Sequence, residues 1–112
     1  MSGLSSQHLR AIATAVGTPT YVYDADMIRA RCRALSEACG DYPHAMHYAI
    51  KANATLAIVR LMRECGARAD ANSGGEIEVA LRAGYTPGDI VFTGVGKSAD
   101  ELRRAISLGV KA

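Results

Sequence analysis

Three glycines set the frame of this chain. Gly66, Gly84 and Gly109 each close an apolar, helix-like stretch, and each leads by a short connection into a β-prone run. Glycine takes the left-handed conformation that ends a helix without steric cost, so the chain can turn back at once. The runs "HAMHYAIKA" (44–52), "ARADA" (67–71) and "DIVFTGV" (89–95) read as strands, and "VKA" as the start of another. Between them, 54–65, the stretch opened by "SGGE" (73–76), and the stretch from "SADE" (98–101) to Leu108 read as helices. Such alternation implies parallel strands joined by helical crossovers. A sheet of that kind is covered by helices on its faces and normally has more strands. The pattern therefore suits the N-terminal part of a larger α/β protein, with a small complete α/β domain as the alternative.

Upstream, residues 5–16 read as a helix stopped by Gly17 and Thr18-Pro19, and "TYVYD" (20–24) as a short strand. Asp24 is placed to cap a helix running to about Cys39. Ile28, Cys32, Leu35 and Cys39 fall at i, i+4, i+7 and i+11, so Cys32 and Cys39 are expected on one buried stripe. The chain has 112 residues, 49% of them hydrophobic, enough for a modest core. A net charge of +2, with no basic block, argues against nucleic acid. No run approaches the ~18 apolar residues of a membrane span, and the first ten residues lack a leader pattern. Three cysteines without metal-ligand spacing read as reduced thiols of a cytoplasmic protein and imply no metal.

The run His47-Tyr48-Ala49-Ile50-Lys51 holds the chemistry. Side chains alternate along a strand. Met46, Tyr48 and Ile50 then share a bulky side, suited to packing under helices. Ala45, His47, Ala49 and Lys51 share a small side that leaves room. At the C-terminal end of a barrel strand, that side faces the mouth where active sites are built. A lysine amine kept uncharged by partial burial is a nucleophile. Geometry alone rather favours a lysine that merely leaves the strand for solvent. His47 reads as a satisfied core histidine. "GVGKS" (94–98) lacks the first glycine of a nucleotide loop, because Val91 occupies that position. Its glycines read as a βα turn with Lys97 exposed.

Four blocks occur in order: "GTPTYVYD" (17–24), "HYAIKAN" (47–53), "DANSGGEIEVALRAG" (70–84) and "IVFTGVGKSADELRRAISLGV" (90–110). Together they resemble the alanine-racemase-like, fold-type III class of pyridoxal-phosphate enzymes, and within it the diaminopimelate decarboxylases. The resemblance covers nearly the whole chain from about residue 10. It implies the first three to four β/α units of a (β/α)8 TIM barrel at 25–112, truncated. Residues 1–24 would supply a helix and a strand that joins a β-domain.

The resemblance further implies that Lys51 is the catalytic lysine, forming an imine with the aldehyde of pyridoxal 5'-phosphate. An incoming amino acid would displace it, and the cofactor ring would drain charge as carbon dioxide leaves. The implied reaction converts meso-2,6-diaminopimelate to L-lysine in lysine biosynthesis. Asp70 lies nineteen positions after Lys51 and ends the next strand, so both are expected at one rim. There Asp70 would hold the lysine ammonium. Ala49 and Glu76 complete the implied cofactor contacts, although Ser73-x-x-Glu76 equally matches a capping box. The implied partners are a small amino-acid substrate and, in the full-length form, a second copy in a homodimer. A phosphate-holding glycine turn, a Glu-Pro-Gly-Arg segment and a β-domain loop reaching the partner subunit are expected beyond this stretch. Alone, the 112 residues are expected to turn over negligibly, and to self-associate or be marginally stable. The alternatives are a decarboxylase of ornithine, arginine or a carboxylated polyamine, and a pyridoxal-phosphate carrier without turnover.

Overall fold

A computed structural model describes residues 3–111. They fall into two compact units, one ending at Ala38 and one beginning at Cys39. Among the described residues no helix is long and apolar enough to cross a membrane.

The first unit holds two helices, α1 (Ser6–Val16) and α2 (Ala25–Ala38). Ser5 caps α1 by accepting from the His8 amide at 3.2 Å, and His8 Nδ1 accepts from the Ser5 amide at 3.4 Å. The α1 chain leaves helix at Gly17, as expected. Asp24 Oδ1 accepts from the amides of Asp26 and Met27 at 2.9 and 3.2 Å, which satisfies two donors that the first turn of α2 cannot. Two expectations fail in this unit and at the residue that follows it. Residues 20–24 form no strand among the described residues, because a strand is a ladder and this segment pairs with none. Cys32 is buried, but Cys39 is exposed, since α2 ends at Ala38 and no longer carries it along the stripe.

The second unit alternates as the glycines require: β1 (His47–Ala49), α3 (Leu56–Glu64), β2 (Arg68–Ala71), α4 (Gly74–Arg82), β3 (Ile90–Phe92) and α5 (Ala99–Leu108). The strands form one parallel sheet in the order β1-β2-β3. Beyond α5, Lys111 makes an isolated parallel bridge to Val91. Phe92 N donates to Lys111 O at 2.8 Å, and Lys111 N donates to Ile90 O at 2.9 Å.

The strands are shorter than the β-prone runs. The first expected strand, 44–52, is cut to His47–Ala49 by a single 3₁₀ turn at Ile50–Ala52. That turn closes its own bond from Asn53 N to Ile50 O at 3.1 Å, which takes these residues off the ladder. The third, 89–95, is cut to Ile90–Phe92. Gly94 follows with φ +100°, outside the range of a strand. Helix α3 starts at Leu56 after Thr55. Asn53 does not cap it directly, because its Oδ1 accepts from the Thr55 amide at 3.0 Å, ahead of the first turn.

One face of the sheet carries the core. Ala69 and Ala71 of β2 and Ile90 and Phe92 of β3 are buried with Ile50, Val59, Ile77, Ala80 and Ala105. The two alanines present little bulk, so α4 can lie close over β2. Fully burying a residue such as Ile77 stabilises by about 1.5–3 kcal/mol. Strand alternation then sends Asp70 and Val91 to the opposite face, where they are only half-buried.

Candidate active site

The strand register builds the site from its floor. Ala49 pairs with Asp70, and Asp70 pairs with Val91, so the three form a row across the sheet at the C-terminal ends of the strands. Ala49 adds only a methyl group to this row. Asp70 is therefore the charged group of this row, with little bulk on its Ala49 side.

Lys51 stands just above this row, in the 3₁₀ turn rather than in the strand. Ile50 is fully buried and anchors the turn from below. Tyr48 Oη donates to Asn53 O at 2.9 Å and ties down the end of the turn. Lys51 itself is exposed, which differs from the partial burial expected of it. The turn lifts it off the face where alternation would have directed it. Among the described residues it makes no hydrogen bond or ion pair, and Asp70 stands opposite Ala49 rather than Lys51.

Asp70 is held from its other side. Thr93 Oγ1 donates to Asp70 Oδ1 at 2.5 Å, and Asn72 Nδ2 donates to Thr93 Oγ1 at 2.6 Å. Glu76 Oε2 accepts from the Asn72 amide at 2.7 Å. Ser73 Oγ accepts from the Glu76 amide at 3.2 Å, so half of the expected capping box is present. The other half is displaced, because the Glu76 carboxylate reaches one residue further back than the cap. Asn72 Oδ1 is buried and has no hydrogen-bond partner among the described residues. Sequence reasoning singled out Asp70 and Glu76 but missed Asn72 and Thr93. The available signal was the period-two spacing of Asp70 with Asn72 and of Val91 with Thr93, which places polar groups where two strands run out.

The loop after β3 closes this end. Gly94 has φ +100°, and a Cβ there would lie 3.3 Å from Asn72 Nδ2. Lys97 is not exposed as expected. It is half-buried, donates to Gly94 O and lies 4.9 Å from the centroid of the Phe92 ring. Its ammonium thus gains a carbonyl and a ring face, and folds back over the loop. His47 is exposed rather than a core histidine, because it lies in an edge strand on the face that the helices leave open.

Glu101 ties the neighbouring loops together. Its carboxylate accepts from the Gly74 amide and from the Ser98 amide, both at 2.9 Å. These bonds, with the Ser98 hydroxyl and the nearby Lys97 charge, hold its carboxyl below the ordinary value of 4.5. A second concavity, lined by Arg63, Ala67, Arg68, Tyr85 and Asp89, lies at the start of β2. It is at the opposite end of the strands from Lys51.

The rim thus offers one primary amine, one carboxylate anchored through a single oxygen, and one buried amide oxygen that lacks a donor. That set fits an aldehyde-bearing, hydrogen-bonding cofactor such as pyridoxal phosphate. Lys51 can supply a nucleophilic nitrogen, and Asp70 can supply a fixed negative charge.

Comparison with known proteins agrees in order and extent. The model of the family described as pyridoxal-dependent decarboxylase, pyridoxal binding domain, matches residues 25–112. The chain is 44% identical over 102 residues to the diaminopimelate decarboxylase of Pseudomonas aeruginosa, covering 91% of this chain and 25% of that protein. The crystal structure of diaminopimelate decarboxylase from Helicobacter pylori complexed with L-lysine superposes with a TM-score of 0.80 at 36% identity, over 91% of this chain and 26% of that one. The lysine/ornithine decarboxylase of Vibrio vulnificus complexed with putrescine gives 0.85 at 28% identity, over 96% of this chain and 30% of that one. The chain spans about a quarter of the length of the curated relative from Pseudomonas aeruginosa. With the match running from the start of α2 through Lys51, Asp70 and Glu76 to the end, the chain belongs to the pyridoxal-dependent decarboxylase family.

Proposed function

We propose that this segment carries the cofactor lysine of a pyridoxal-phosphate-dependent diaminopimelate decarboxylase, which converts meso-2,6-diaminopimelate to L-lysine and carbon dioxide. The observation that carries the reading is the 44% identity over 102 residues to a diaminopimelate decarboxylase, an aligned length that cannot omit Lys51, Asp70 and Glu76. In this reading 25–112 forms the first three to four β/α units of a (β/α)8 barrel, and the family match beginning at residue 25 supports that boundary. Residues 1–24 precede the barrel as a separate N-terminal piece.

Lys51 holds the cofactor through its amine, and its place beside the C-terminal ends of β1 and β2 suits that task. Bound there, pyridoxal phosphate supplies an electron sink for the charge left as carboxylate departs. Asp70 offers a carboxylate to the Lys51 ammonium whenever that amine is released. Ala49 keeps the floor beside Asp70 clear of bulk. Glu76 holds the Asn72 amide and so fixes the chain between β2 and α4. The working enzyme is a cytoplasmic homodimer whose remaining cofactor contacts come from other segments.

The nearest rival, a lysine or ornithine decarboxylase, is favoured by the higher TM-score of 0.85, but its identity of 28% falls well below 44%. The test is a substrate screen of the full coding sequence that contains this segment. Release of carbon dioxide and L-lysine from meso-diaminopimelate, lost in Lys51→Ala, is the expected result. Release from ornithine or lysine alone would replace this reading with the rival.

A further inference from the structure

Hydrogen-bond chains have a direction, and here the direction follows from the groups themselves. As a carboxylate, Asp70 can only accept. The Thr93 hydroxyl has one proton, and at 2.5 Å from Asp70 Oδ1 it must spend it there. Thr93 Oγ1 then has only lone pairs to offer Asn72. The Asn72 atom 2.6 Å away must therefore be the amide nitrogen. Asn72 Oδ1 is left facing the other way, buried and without a donor among the described residues. The chain runs one way, from Asn72 to Thr93 to Asp70.

The surroundings are built to keep that direction. The Asn72 backbone is fixed by Glu76 at 2.7 Å. Thr93 N donates to Ala71 O at 2.9 Å, which ties the end of β3 to the end of β2. Gly94 leaves the space that Asn72 Nδ2 occupies, since a Cβ there would crowd it at 3.3 Å. Three separate restraints thus converge on one orientation of the Asp70 carboxylate. Oδ1 is engaged, and Oδ2 has no partner among the described residues.

We infer that Thr93 and Asn72 are positioning residues of the proposed cofactor site, which hold Asp70 with one oxygen anchored and the other free to meet the Lys51 amine or its ligand. The inference rests on the reading of Lys51 as the cofactor lysine. It adds two residues whose hydrogen bonds reach the site through the Asp70 carboxylate. It also gives Asn72 a second consequence: its open Oδ1 is poised to accept a donor once the site is filled.

The test is capture of pyridoxal phosphate by this chain, fixed with borohydride and mapped by peptide mass. Far-UV circular dichroism of each variant accompanies it. Thr93→Val keeps the shape but removes the hydroxyl, and Thr93→Ser keeps the hydroxyl. The rate of labelling at Lys51 is expected to fall about tenfold in Thr93→Val, the scale of losing one hydrogen bond to a charged group. Thr93→Ser is expected to restore it to within about twofold. In an Asp70→Asn background, Thr93→Val is expected to cost nothing further, because its effect passes through that carboxylate. A merely structural role would cost the same in both backgrounds. If Thr93→Val does not fold, Asn72→Ala replaces it, with a several-fold loss expected that again vanishes beside Asp70→Asn. Unchanged labelling in a folded Thr93→Val chain, or an equal loss in both backgrounds, would overturn this inference alone. Absence of Lys51 labelling in the unsubstituted chain would overturn the proposed function, and this inference with it.

Discussion

Glu101 shows what a single carboxylate does in this fold. It satisfies the first amide of α4 through Gly74 and the N-cap amide of α5 through Ser98. Its carboxyl is held low by those bonds, the Gly74 amide first. A carboxyl lowered on folding contributes stability above its unfolded value and loses it as pH falls through the folded one. The melting temperature, followed by circular dichroism, should therefore decline as pH drops below about 4.5. Glu101→Gln should flatten that part of the decline. Gly94→Ala is expected to destabilise by about 1–2 kcal/mol, because φ +100° is strained for any Cβ and Asn72 lies in the way. Urea unfolding measures it. The site was only partly legible at this scale. Lys51, Asp70 and Glu76 become candidates by residue type and by the blocks they occupy. Asn72 and Thr93 lie 21 positions apart and gain a role only when β2 and β3 pair. No local pattern reports that pairing.

At the scale of elements, helices were more legible than strands, for a physical reason. A helix satisfies its own backbone, so local signals such as Ser5, Asp24, Ser73 and Ser98 mark where it starts. A strand exists only through its neighbour. "TYVYD" has the composition of a strand but no ladder, and "HAMHYAIKA" keeps three residues of nine. The 3₁₀ turn that shortens it moves Lys51 from a predicted strand face to an exposed position, a shift invisible in alternation. The capping box at the start of α5 is complete, with Ser98 and Glu101 bonded both ways, and its Ser-x-x-Glu pattern is contained in four consecutive residues. Ser98→Ala should lower stability by about 1 kcal/mol in urea unfolding, while Ser73→Ala should cost a similar amount at α4.

For the whole molecule, the parallel α/β class followed from three glycines and held, with φ of +83°, +96° and +78° at Gly66, Gly84 and Gly109. The extent of the sheet did not follow. β1 is an edge strand among the described residues, and α5 exposes Leu102 and Ile106, the latter at 77%. An unpaired strand edge and exposed apolar side chains each invite association. Sedimentation of the chain should show an average mass that rises with concentration. The most direct test of the account is the site of pyridoxal phosphate capture in this chain, whose only lysines are Lys51, Lys97 and Lys111. After borohydride reduction and peptide mapping, Lys51 should carry most of the label, with Lys97 held back by Gly94 and Phe92. Label spread evenly over the three lysines, or found on Lys97 or Lys111 in preference, would contradict it.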